Sequence, residues 1–172
     1  RNEQNLYRTT CGLCGECIFS MYSRKMPVIV YCQSCWWSDK WDPLTYGRDY
    51  DFSRPFFEQF NEICQQVPLP ALWGFNNEHC DFANYIGYSK NCYLSFSILS
   101  SEEIYYSEGI DRSKHCFDSD IVQDSEFSYR NTNSTRNYHS IYLDESRESV
   151  DSAFLYDCSN CQNCFMSHGL RN

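Results

Sequence analysis

The sequence predicts a mainly β fold, on three observations. Every third residue from Cys80 to Leu170 is Cys, Ile, Val, Leu, Ala, Ser or Asn, 31 positions in all, and none is charged or aromatic. Two Cys-x2-Cys pairs near the N-terminus stand 17 residues apart. Between these features lies one stretch of helical period, Ser53 to Gln66. The expected order is a metal-holding ribbon over residues 1–38, an aromatic connector and capping helix over 39–76, and a narrow β-solenoid over 77–172.

The ribbon comes first. Cys11-Gly-Leu-Cys14-Gly15 and Cys32-Gln-Ser-Cys35 have the spacing in which two tight turns aim four thiolates at one Zn2+. Gly15 suits such a turn because it accepts positive φ. Pro27 to Tyr31 reads as the strand that delivers the second pair. Four Cys ligands leave no open position, so the zinc expected on Cys11, Cys14, Cys32 and Cys35 is structural. A ribbon this small buries too little core without it. Two disulfides are the alternative. Cys17 is a spare thiol in the same loop, able to replace Cys11 or Cys14 but lacking a following glycine.

Next come Trp36, Trp37, Trp41, Tyr46 and Tyr50, with Pro43 and Gly47 setting turns. A ligand site is one reading. The simpler one is apolar glue between ribbon and solenoid. The helix follows, with Ser53 as its cap and Pro55 in its first turn. Phe56, Phe57, Phe60, Ile63, Cys64 and Val67 make one apolar stripe. An open solenoid end exposes strand edges, so this helix is expected to cap it. A partner-binding helix is the alternative.

A helix repeats near 3.6 and a plain strand at 2, so neither keeps a period of three over ninety residues. A narrow solenoid does, sending one residue inward between two outward neighbours. Cys80, Ile86, Cys92, Ile98, Ile104, Ile110, Cys116 and Val122 fall six apart with Ala or Ser midway. The expected coil therefore has 12 residues and four inward positions, two medium and two small. Inward serines must bond to turn backbone. From Ser128 to Asn137 the inward positions turn polar, and Leu143 and Leu155 afterwards sit in a shifted phase. The asparagines are expected to satisfy turn backbone.

Outward columns support the same coil. Tyr93, Tyr105, Phe117 and Tyr129 lie 12 apart and should stack as a ladder, while Lys90, Glu102, Lys114 and Glu126 alternate in sign. His79, His115 and His139 share another column with Glu103 and Asp151. Cross-coil disulfides should pair cysteines six apart, and only Cys158 and Cys164 have that spacing. The core cysteines therefore read as buried thiols in a reducing compartment. Cys158-x2-Cys161-x2-Cys164-x3-His168 has the look of an iron–sulfur or second zinc site, but one coil winds these thiols onto different walls.

The net charge of −9 is uneven: +2 over residues 1–35, −3 over 36–76 and −8 over 77–172. An acidic solenoid is a poor duplex-binding surface. No 18-residue apolar run or signal-like segment is visible, so no membrane contact and a cytoplasmic setting are expected. Arg1 in place of an initiator Met reads as a processed or excised chain. No phosphate loop, nucleophile elbow or His-Glu-x-x-His occurs, and no catalytic residue is assigned.

The inward spacing resembles the 12-residue β-helix of insect antifreeze proteins, whose coils also place Cys and small residues inward. The resemblance covers coil geometry alone, because the Thr-x-Thr ice-binding rows are missing. The run Tyr31 to Leu44, then Tyr46 to Phe60, looks like an uncharacterised zinc-ribbon family abundant in Candidate Phyla Radiation bacteria. It extends through Asn91-Cys-Tyr-Leu94 to Gly169-Leu-Arg-Asn172. The resemblance implies a prokaryotic cytosolic setting, zinc on Cys11, Cys14, Cys32 and Cys35, and further sequence beyond both ends. It transfers no activity.

The leading expectation is a non-enzymatic scaffold that meets a protein partner or a second copy through Tyr93, Tyr105, Phe117 and Tyr129. The second is a nucleic-acid-binding ribbon using Arg8, Arg24 and Lys25. The third is a β-helix enzyme acting on glycans through the outward histidines and carboxylates.

Overall fold

The computed structural model describes residues 4–171, so Arg1 and Asn172 lie outside the described residues. Strand accounts for 44% of the chain and helix for 12%, which makes the fold mainly β. Two compact units divide at Trp73 and Gly74.

The first unit opens with an antiparallel hairpin of β1 (Tyr7–Thr10) and β2 (Cys17–Ser20), in which Thr10 faces Cys17. Strand β3 (Val30–Tyr31) pairs in parallel with β4 (Leu69–Pro70). The strand expected from Pro27 is thus two residues long; it gains its partner only where Leu69 N donates to Ile29 O and Ala71 N to Tyr31 O. Helix α1 (Gln33–Trp36) follows Cys32, and a 3-10 turn at Pro43–Tyr46 is capped by the Asp42 carboxylate, which accepts from Leu44 N.

Helix α2 spans Phe56–Gln66 and corrects the expected start at Ser53. Ser53 does not cap it: the Ser53 N–H and hydroxyl both donate to Asp51 Oδ1. The entry is instead fixed by Gln59, which accepts from Asp51 N and donates to Asp51 O and Arg54 O. Gln59 is the buried residue of the helix, whereas Phe56, Phe57 and Phe60 of the expected apolar stripe are exposed. Local hydrogen bonds to the incoming chain, not apolar periodicity, set which side of α2 is covered. Arg54 pairs with Glu58 and Glu62, and Arg48 also reaches Glu62.

The second unit is a β-solenoid of about 8 turns, built from strands β5 (Gly74–Phe75) to β18 (Phe165–His168). Each residue pairs in parallel with the one 12 positions on: Ile104 with Cys92 and Cys116, Ile110 with Ile98 and Val122. Every third residue from Asn76 to Gly169 is left-handed, including 30 non-glycine residues with φ between +46° and +57°. Each stands just before an inward residue and turns the chain, giving four corners per coil. That conformation costs an L-residue roughly 1–2 kcal/mol. The coil-to-coil backbone ladder offsets it, as in Glu102 N to Ser113 O at 3.1 Å and Arg112 N to Leu99 O at 3.0 Å.

Every inward position from Ala83 to Cys161 is buried. Inward hydroxyls do two jobs, except Ser128 Oγ, which is buried without a hydrogen-bond partner and so departs from the expectation that inward serines bond to turn backbone. Ser101 Oγ donates to Leu99 O at 2.7 Å and accepts from Ser113 N at 3.2 Å, and Ser107, Ser113 and Ser119 repeat the pattern. Thiols imitate the first job: Cys92 and Cys116 donate to the carbonyl two residues back. This is why Ser and Cys interchange along the axis. Asn131 Nδ2 donates to Ser140 O while its Oδ1 accepts from Leu143 N, and Asn137 does the same with Ser146 O and Ser149 N. The polar layer separates one apolar cluster at Ala83–Val122 from another at Leu143–Cys161. The 12-residue register continues across it, with Thr132 facing Asp144 and Ile141 facing Ala153, so the shifted phase is a change of wall and not a slip. All 12 cysteines are free thiols. Among the described residues no helix is long and apolar enough to cross a membrane.

Candidate metal centre

Two turns bring the four predicted cysteines together. After β1, the chain reverses between Cys11 and Cys14, closed by Cys11 N donating to Glu16 O and Gly15 N to Cys11 O, with Gly15 at φ +80°. Gly12 N donates to Val30 O at 2.8 Å, and a Cβ on Gly12 would lie 2.9 Å from Ile29 Cγ2, so the two turns approach this closely only with glycine there. Cys32 N donates to Cys11 Sγ at 3.3 Å, and α1 carries Cys35 back over the first pair.

The sulfurs of Cys11, Cys14, Cys32 and Cys35 all lie within 4.8 Å of one another. Cys14 Sγ and Cys32 Sγ are 3.9 Å apart, next to the edge of about 3.8 Å that a tetrahedron with Zn–S bonds of ~2.3 Å requires. Burial opposes ionisation of Cys11, yet the N–H groups of Cys14, Cys32 and Leu13 aimed at its sulfur hold the thiol down to about 6. Cys35 moves the other way, pushed up to about 12 by its hydrogen bond with Cys32 and then by burial. Four clustered thiols cannot all ionise alone; a divalent cation removes that conflict. The arrangement can hold one metal ion with no open position. Cys17 stays outside it, exposed and accepting from Arg8 Nε at 2.9 Å.

The aromatic segment serves this centre. Tyr31, Cys11, Cys32 and Cys35 form one buried cluster against which Leu13, Ile18, Trp36 and Trp41 pack. Trp41 Nε1 donates to Trp36 O, and its ring meets Tyr31 edge-on at 5.5 Å. Trp37 is exposed. Of the basic groups near the ribbon, Arg24 Nε is engaged by Arg8 O.

The solenoid places Tyr93, Tyr105, Phe117 and Tyr129 in one column. Tyr105 and Phe117 stack at 4.9 Å and 9°. Tyr93 instead meets Phe82 and Tyr106 edge-on, and Tyr129 meets Tyr142, which stacks on Phe154 at 4.7 Å. The stripe therefore crosses to the adjoining column after Tyr129, with Arg130 over both Tyr129 and Tyr142. Tyr142 and Phe154, 12 apart, carried the same signal in the sequence. In the charge column, Lys90 pairs with Glu78 and Lys114 with Glu102.

The histidine column does not converge. His115 stacks on Phe127, and His139 Nδ1 meets Asp151 Oδ1 at 2.7 Å beside a shallow recess lined by Ile141, Ser152 and Ala153. His79 and Glu103 turn to other partners, Glu78 and Asn91. His168 stacks on Tyr156 at the outer surface, so it does not join Cys158, Cys161 and Cys164 inside. Sequence reasoning missed one thiol pair, Cys80 and Cys92, which face each other on neighbouring coils. Their spacing of 12 was the available signal.

No known protein-family model and no curated protein matches this chain.

Proposed function

We propose that this protein is a non-enzymatic scaffold, working in a reducing, cytoplasmic setting, in which a structural Zn2+ on Cys11, Cys14, Cys32 and Cys35 holds the first unit and the solenoid presents an aromatic stripe to a protein partner or a second copy. The observation that carries this reading is the Tyr105–Phe117 stack. These two rings each direct one face at the other and leave edges outward, with Phe117 42% exposed. Sugars stack on free aromatic faces, and this stack takes up one face of each ring; protein side chains pack against a ribbed apolar edge. The rigid backbone ladder beneath keeps the ordering cost of docking low.

The test uses the full chain. Metal analysis of the purified protein should give one zinc per chain, and chelation should unfold the first unit. Sedimentation and affinity capture then compare wild type with Tyr105→Ser/Phe117→Ser. Loss of self-association or of captured partners in the variant supports the reading. Identical behaviour of both proteins, or salt-dependent RNA or DNA binding by the wild type as its main interaction, overturns it.

A further inference from the structure

Cys80 and Cys92 are the thiols that stack directly across two coils among the described residues. Strand β6 (Glu78–Asp81) runs parallel to β8 (Lys90–Tyr93), with Glu78 opposite Lys90, Cys80 opposite Cys92 and Asp81 opposite Tyr93. Stacked parallel strands lie about 4.8 Å apart, inside the Cα separation of ~4.4–6.8 Å that a disulfide tolerates. The Cys80 thiol donates to Glu78 O at 3.3 Å and the Cys92 thiol to Lys90 O at 3.5 Å, so each sulfur is held by the carbonyl two residues back on its own strand. Elsewhere in this column the neighbours differ: Cys116 stands between Ile104 and Ser128.

The pair is also asymmetric. Cys80 is half-buried on the first complete coil, where a small solute reaches it, and Cys92 is 1% exposed. The neighbouring Cys92 sulfur, working against burial, brings the Cys80 thiol down to about 7, and the Cys92 thiol is pushed up by the neighbouring Cys80 and by burial. One member is thus built to attack and the other to resolve.

We propose that Cys80 and Cys92 are a peroxide-responsive pair whose disulfide staples the first coil of the solenoid to the second. The Cys80 thiolate attacks one oxygen of hydrogen peroxide, the O–O bond breaks, and the departing hydroxide takes up the thiol proton as water. Cys80 is then a sulfenic acid. The Cys92 sulfur attacks it, the S–S bond forms, and the hydroxyl leaves with the Cys92 proton as a second water. Two thiols and one peroxide give one disulfide and two waters; the sulfurs lose two electrons and the peroxide gains them. The staple closes a 12-residue loop at the end of the stack, where no preceding full coil holds Glu78–Asp81 in place.

The experiment treats the zinc-loaded full chain with limiting hydrogen peroxide, alkylates the remaining thiols, and maps the cysteines by non-reducing digestion and mass spectrometry. A Cys80–Cys92 linked peptide is expected, with Cys116 still alkylated. Amide exchange over Glu78–Tyr93 should slow by about tenfold or more. In Cys92→Ser, peroxide should leave Cys80 as a sulfenic acid trapped by dimedone; serine already fills 14 of the 31 inward positions, and circular dichroism checks the fold. The proposal is overturned if Cys80 and Cys92 both remain alkylated, if Cys80 links to another cysteine, or if Cys92→Ser yields no trapped sulfenic acid.

Discussion

Replacing Asn131 with Val should uncouple the two halves of the solenoid core. Asn131 is fully buried, its Nδ2 donates to Ser140 O at 3.1 Å, and its Oδ1 accepts from Leu143 N at 3.0 Å. Valine keeps the bulk and deletes both partners, orphaning one buried carbonyl and one buried amide. Each orphan costs about 1–3 kcal/mol, so the expected loss is about 2–6 kcal/mol. Asn131→Ser should cost less, since inward serines such as Ser119 accept the amide 12 residues on. Urea unfolding at constant zinc gives the global change. Exchange of the Leu143 amide gives the local one and should speed up most. A loss below about 0.5 kcal/mol with Leu143 protection intact would refute the claim that asparagine side chains close this layer.

Two further outcomes follow from the same geometry. Ile121 is a β-branched residue at φ +52° and 57% exposed, so Ile121→Asn should stabilise the solenoid by about 0.5–1 kcal/mol, read by urea unfolding; destabilisation would contradict the left-handed corner there. The hydrogen bond from Arg54 holds the Glu62 carboxyl below its ordinary value. A depressed carboxylate contributes stability above the unfolded pKa of ~4.3, and that stability is lost as pH falls through the lower folded value. A carboxyl-carbon NMR titration should show Glu62 returning to the ordinary range in Arg54→Leu; an unchanged midpoint would rule out the pairing.

The sequence alone determined the coil. A chain that turns every three residues can hide only one residue in three, and a thin interior admits only small or medium-sized groups, so Ser, Cys, Ile and Asn recur at that interval. It also determined the four-thiol cluster, because two Cys-x2-Cys turns leave thiols few places to point. What it left open were contacts governed by distances between segments remote in sequence or by competing local bonds. The exposed face of α2 was decided by Gln59 binding Asp51 and Arg54, against the apolar stripe. The route of the aromatic stripe from Tyr129 to Tyr142 depends on ring tilt and on Arg130 lying between them. The meeting of Cys80 with Cys92 depends on which residues share a wall. Periodicity fixes what faces inward at each step; only the stacked coils decide which inward groups touch, because that choice is made by backbone hydrogen bonds 12 residues apart.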